Sequence, residues 1–108
     1  KVKGFNESYF MYIEDMDLCY RVKKAGFAVY NTPHARVEHL GQGSTNKTFA
    51  IVHIFEGLQI FYKQQRSILE YYMIKLLLFI KASISLLVGL VTFNKYLITT
   101  YYAALKTL

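Results

Sequence analysis

The chain has 108 residues, enough for one domain or a part of one. Hydrophobic residues make up 54% and charged residues 19%, a balance that excludes a disordered segment. The formal net charge is +6, yet no compact Lys/Arg stripe tracks the chain, so nucleic acid is not an expected partner.

The charge is unevenly placed. Residues 1–40 hold every carboxylate except Glu56 and Glu70, whereas 71–108 carry Lys75, Lys81, Lys95 and Lys106 and no acid. A basic, aromatic, apolar tail suits an anionic membrane surface. Cys19 is the sole cysteine, which rules out an internal disulfide and fits a reducing compartment.

In chain order, residues 1–13 read as a loop punctuated by Gly4 and Asn6, leading into a short aromatic strand or turn. The start is abrupt, and further sequence is expected upstream. Residues 14–25 read as a helix. Glu14, Asp15 and Asp17 crowd its first turn and Lys23 and Lys24 its last, both placements that complement the helix dipole. Met16, Cys19, Tyr20 and Val22 supply an apolar stripe, with Cys19 a small buried hydrophobe. Gly26 stands where a left-handed residue ends helices.

Residues 27–31 are apolar and β-prone and read as a strand, broken by Thr32-Pro33. Residues 35–40 alternate and read as a second strand. GQGS (41–44) is a loop, after which Thr45 or Asn46 caps the next helix. Residues 47–70 carry one long helical pattern. Residues 71–93 are strongly apolar but interrupted by Lys75 and Lys81, leaving 82–93 as the longest run without charge. A full span needs about 20 apolar residues. The pattern suits a helix lying in the interface or a tilted span with snorkelling lysines, and a buried helical hairpin remains the plain alternative. Tyr71, Tyr72, Tyr96, Tyr101 and Tyr102 bracket the segment as interfacial aromatics do.

The acids at 14, 15 and 17 are the densest titratable cluster in the chain. On a helix they point apart, but at its first turn one carboxylate can face a cleft and accept a proton. Three acids that simply stabilise a helix start are the plain alternative. His39 follows the second expected strand and can offer one ring nitrogen to a divalent cation. His34 reads as exposed beside Pro33 and His53 as a packing residue. No CxxC or HExxH pattern marks a zinc site, and Gly41–Ser44 lack the glycines and lysine spacing of a P-loop.

Taken together, GFNESYFMYIEDMDLCYRVKKAGFAVYNTPHARVEHLGQGS (4–44) resembles the C-terminal part of the catalytic domain of family-2 glycosyltransferases, especially bacterial rhamnosyltransferase-like members. The resemblance rests on GFNE-x-YF-x-Y-x-ED-x-DLC-x-R, then KAGF, then P-x-ARV-x-H-x-G-x-GS. It implies an α/β architecture, the end of a GT-A domain, over 1–46. Long, partly membrane-associated α-helices follow over 47–108, as a membrane-interface or oligomerisation region. It also implies inverting transfer of a sugar, such as rhamnose, from a nucleotide-sugar donor to a polysaccharide or lipid-linked acceptor. The setting would be cell-wall or capsule synthesis at the cytoplasmic face of a bacterial membrane. Asp15 would be the general base, and Glu14, Asp17, Gly41, Gly43 and Ser44 would contact substrate. His39 would help hold a divalent metal, Mn or Mg, shared with a D-x-D motif that this chain lacks. Asp15-Met16-Asp17 has that motif's letters but falls within the E-D element. The resemblance thus implies a piece that is inactive alone and prone to self-association. A non-catalytic membrane-interface or oligomerisation module is the competing expectation.

Overall fold

A computed structural model describes residues 2–38 and 46–108. Its helices are α1 (Glu14–Lys24), α2 (Lys47–Gln65), α3 (Ile68–Val91) and α4 (Lys95–Leu105). The described residues contain no β-strand, which corrects the expected α/β class. Residues 27–38 are exposed and join no ladder, and positions 39 and 40 of the second expected strand lie outside the described residues. The physical reason is that alternation and β-branched content describe only side-chain faces, whereas a strand exists through a partner for its N–H and C=O groups. No described segment pairs with 27–38.

α1 starts where expected, ends one residue earlier with Ala25 as its cap, and keeps the expected charge pattern, acidic in the first turn and basic in the last. Its end is closed in the paired manner of a left-handed cap. Gly26 has φ 85°, its N–H reaches the Lys23 carbonyl at 3.0 Å, and the Phe27 N–H reaches Val22 at 3.1 Å. Its inward face differs from the expected stripe. Asp17 is fully buried, while Met16 and Cys19 are exposed.

The single long helix expected over 47–70 is two helices. Asn46 caps α2, its Oδ1 accepting from the Phe49 N–H at 2.7 Å. The chain then turns extended at Arg66 and Ser67, and a capping box starts α3. The Ser67 hydroxyl oxygen accepts from the Glu70 N–H at 3.3 Å, and the Glu70 carboxylate accepts from the Ser67 N–H at 2.9 Å. The S-I-L-E run at 67–70 is the signal, and it outweighs the apolar periodicity that runs through it.

α2, α3 and α4 form a small bundle around Phe55, Leu78, Ala82 and Ala104. Small residues let the helices approach: a Cβ on Gly89 would lie 2.8 Å from Leu97 Cβ and 3.1 Å from the Ile98 nitrogen. Thr48 and the fully buried Thr100 share a hydroxyl hydrogen bond at 2.6 Å. The Gln59 amide donates to the Thr107 carbonyl at 3.1 Å, so α2 and α4 run side by side in the same direction. The outer face of α3 is bare, with Leu76, Leu77, Phe79, Leu87 and Val91 all more than half exposed. α3 is long and apolar enough to cross a membrane by length and composition.

Candidate functional site

The segment that carries the acids docks on α2 through one stripe, Gly57, Phe61 and Gln65, spaced four residues apart on a single helical face. Ile13 sits on Gly57, where an added Cβ would meet Ile13 Cγ1 at 2.9 Å and the Tyr12 carbonyl oxygen at 3.2 Å. Tyr20 stacks edge-on against Phe61 at 5.3 Å and its hydroxyl donates to the Gln65 carbonyl at 3.3 Å. The Gln65 amide in turn donates to Asp17 Oδ1 at 3.0 Å.

Asp17 is the hub of this docking. Its second oxygen accepts from Arg21 Nε at 2.7 Å, and Arg21 Nη2 donates to the Gly4 carbonyl at 2.7 Å. Asp17 thereby ties the N-terminal loop, α1 and α2 together, and both its oxygens are taken. Asn6 adds a second tie, its amide donating to Gln64 Oε1 at 2.7 Å. Tyr9 is a buried residue of the same loop, its hydroxyl near Asp17 but in no well-formed hydrogen bond among the described residues. Burial, reinforced by the negative charge of Asp17, pushes the Tyr9 phenol well above its ordinary range.

Asp15 is placed differently. It is exposed, joins no ion pair among the described residues, and accepts from the Met16 N–H at 2.8 Å through Oδ1. The turn before it is unusual: Tyr12 and Ile13 both have positive φ, at 67° and 68°, and Ile13 opens α1 without a side-chain cap. Glu14, between them, is partly buried, and its Oε2 is sealed from solvent with no hydrogen-bond partner among the described residues. Of the expected site residues in the first turn of α1, Asp15 is exposed, Glu14 is partly buried and Asp17 is turned inward. Gly41, Gly43, Ser44 and the expected metal ligand His39 lie outside the described residues.

The described residues form no group of three or more His, Cys, Asp or Glu side chains able to hold a metal ion. They do not by themselves make a divalent-cation site.

A cleft of about 310 Å³ lies beside this turn, lined by residues 8–11, by one face of α2 and by Thr107. Gly57 belongs both to the cleft and to the seat of Ile13. Inside it, His53 Nδ1 and Glu56 Oε2 pair at 2.7 Å, and the His53 ring packs against Phe49 at 4.2 Å and Phe10 at 5.2 Å. The packing role expected for His53 is what these rings describe, but its pairing with Glu56 was not anticipated. The H-x-x-E spacing on α2 was the available signal.

Over 50 residues, 46% of this chain and 19% of the relative, the chain is 36% identical to the rhamnosyltransferase WbbL of Escherichia coli (strain K12). Over 47 residues, 44% of this chain and 15% of the relative, it is 47% identical to an N-acetylglucosaminyl-diphospho-decaprenol L-rhamnosyltransferase of Mycobacterium tuberculosis (strain CDC 1551 / Oshkosh). The protein of the same name from strain H37Rv matches equally. The chain spans less than a fifth of the length of these curated relatives. No family model matches it, and no solved structure does. The similarity relates the chain locally to glycosyltransferases.

Proposed function

We propose that this chain is part of an inverting glycosyltransferase that moves a sugar, such as rhamnose, from a nucleotide-sugar donor to a polysaccharide or lipid-linked acceptor. The observation that carries this reading is Asp15. It is the one acid of the E-D-x-D run that is exposed, and it joins no ion pair among the described residues. Asp17, two residues on, is spent on structure. A carboxylate held outward and unpaired is suited to take the proton of an acceptor hydroxyl as the new glycosidic bond forms. His39 would contribute to holding a divalent metal on the donor diphosphate, together with carboxylates outside this chain.

A membrane-facing role accompanies this reading and is favoured by a separate observation, the bare apolar surface of α3. Lys75 lies over the Tyr71 ring at 5.8 Å and Lys106 over Tyr102 at 4.5 Å, pairings suited to the headgroup level at the cytoplasmic face of a cell membrane. Alone, this surface would describe a membrane-interface or self-association module without catalysis.

Turnover by the complete gene product tests the first reading. Asp15→Asn should abolish nearly all transfer while leaving donor binding intact, and normal transfer by that variant removes the base assignment. His39→Ala should weaken metal-dependent donor binding, and an unchanged metal requirement removes the ligand role. Co-sedimentation with anionic vesicles that declines as salt rises tests the second reading, and no association at low salt removes it.

A further inference from the structure

We infer that the left-handed turn at Tyr12–Ile13, seated on Gly57 of α2, is the device that aims Asp15, making Gly57 and Ile13 positioning residues for the proposed base. The inference rests on the reading of Asp15 as a functional carboxylate.

Two adjacent non-glycine residues with φ of 67° and 68° are rare, and the second is β-branched, for which this region is a genuine outlier. Helix starts do not require this. An ordinary Ser, Thr, Asp or Asn cap in extended backbone opens a helix and satisfies a free N–H, as Asn46, Ser67 and Asn94 do for the other three. Ile13 makes no such bond. A strained conformation persists only where its surroundings over-determine it, and such positions gather at functional sites.

The surroundings that hold this turn are specific. The Ile13 side chain rests on the bare Cα of Gly57, where a Cβ would lie 2.9 Å from Ile13 Cγ1, 3.0 Å from its Cβ and 3.2 Å from the Tyr12 carbonyl oxygen. The first distance requires Ile13 to shift for any larger residue, and the other two are tight enough that the turn must give with it. One helical turn later the Ile13 carbonyl accepts from the Asp17 N–H at 2.9 Å, and the Asp17 side chain is bound to Gln65 on the same α2 stripe. The first turn of α1 is thus pinned to α2 at 13 and at 17. Residue 15 lies two positions from each pin, on the side of the helix facing away from α2. Its carboxylate is held outward, with Oδ1 on the Met16 N–H. Asp15 also follows α2, and through it the bundle carrying the bare α3 face.

The test uses the 108-residue chain in detergent micelles, with ¹⁵N amides and ¹³C-labelled aspartate. Gly57→Ala should move the Met16 amide and the Asp15 carboxyl resonances while those of Gly89, Thr100 and Ala104 stay in place. Adding Ile13→Gly to Gly57→Ala removes the two closest contacts and permits positive φ without strain, and should return the Met16 and Asp15 signals toward wild type. Unmoved Met16 and Asp15 signals in Gly57→Ala, or no recovery in the double variant, overturn the inference. If Gly57→Ala does not fold, Ile13→Gly alone decides. It should broaden the Met16 amide and leave the Arg21 Nε and Gln65 side-chain signals sharp, and an unbroadened Met16 overturns the inference. In the complete gene product, Gly57→Ala should lower kcat about tenfold or more with KM within about twofold, the signature of a misaimed group. Should Asp15→Asn transfer sugar normally, the base reading fails by that result alone, and the resonance test still reports separately on the turn.

Discussion

The Asp17 hub permits a quantitative test of how the acidic segment is held. Asp17→Ala deletes the acceptor for the Arg21 Nε–H and for the Gln65 amide, and leaves the guanidinium beside a buried gap. Removing one member of a buried pair costs about 3–5 kcal/mol. Arg21 retains 21% side-chain exposure, and its Nη2 keeps the Gly4 carbonyl, so the stranded charge is partly solvated and the low end applies, about 3 kcal/mol. The loss falls on α1 docking, because the bundle core of Phe55, Leu78, Ala82 and Ala104 does not include Asp17. The measurement is native-state hydrogen exchange resolved by residue. At about 1.4 kcal/mol per tenfold, protection of the α1 amides should fall roughly a hundredfold, with α3 amides changed by less than about threefold. A double-mutant cycle with Arg21→Ala should return a coupling of about 1–2 kcal/mol. Unchanged α1 protection, or a coupling below about 0.3 kcal/mol, would refute the view that the Asp17 pair fastens α1 to the rest of the chain.

Other outcomes follow from single side chains. Tyr9 has its folded-state pKa raised, so the folded chain keeps a proton that the unfolded chain releases above about pH 10. Its contribution is fully present below that pH and is lost as pH climbs further, and Tyr9→Phe should flatten this alkaline decline in a pH series of unfolding midpoints. Ser67→Ala removes one half of the capping box and should destabilise the start of α3 by about 1 kcal/mol, read from denaturant midpoints, with an effect below about 0.3 kcal/mol counting against the cap. Phe55→Ala empties the centre of the bundle and should cost about 3–5 kcal/mol, with cooperative unfolding lost or strongly shifted. Gly89→Val should force α4 away from α3, because the nearest obstacles are Leu97 Cβ and the Ile98 backbone nitrogen, and exchange of the α4 amides should accelerate accordingly.

Much of the helical content was legible in the sequence because its causes are local. The acidic opening and basic close of α1, the glycine at its end, the Asn46 cap and the apolar length of α3 are relations among residues a few positions apart. The break at Ser67 was also local, written in S-I-L-E, but it was hidden beneath a continuous apolar pattern. The strands failed for the opposite reason: a β-prone segment says which side chains share a face, and the partner that would make it a strand is not a property of the segment.

The site divides along the same line. Placing Glu14, Asp15 and Asp17 in one helical turn follows from the sequence, and helical geometry alone makes them point apart. Which one turns inward was decided by residues some fifty positions away. Gln65 receives Asp17, Phe61 receives Tyr20, and the missing side chain of Gly57 admits Ile13. Such contacts depend on how one helix lies along another, and no local propensity encodes that orientation. It buries one carboxylate as a fastening and leaves its neighbour at 15 facing outward.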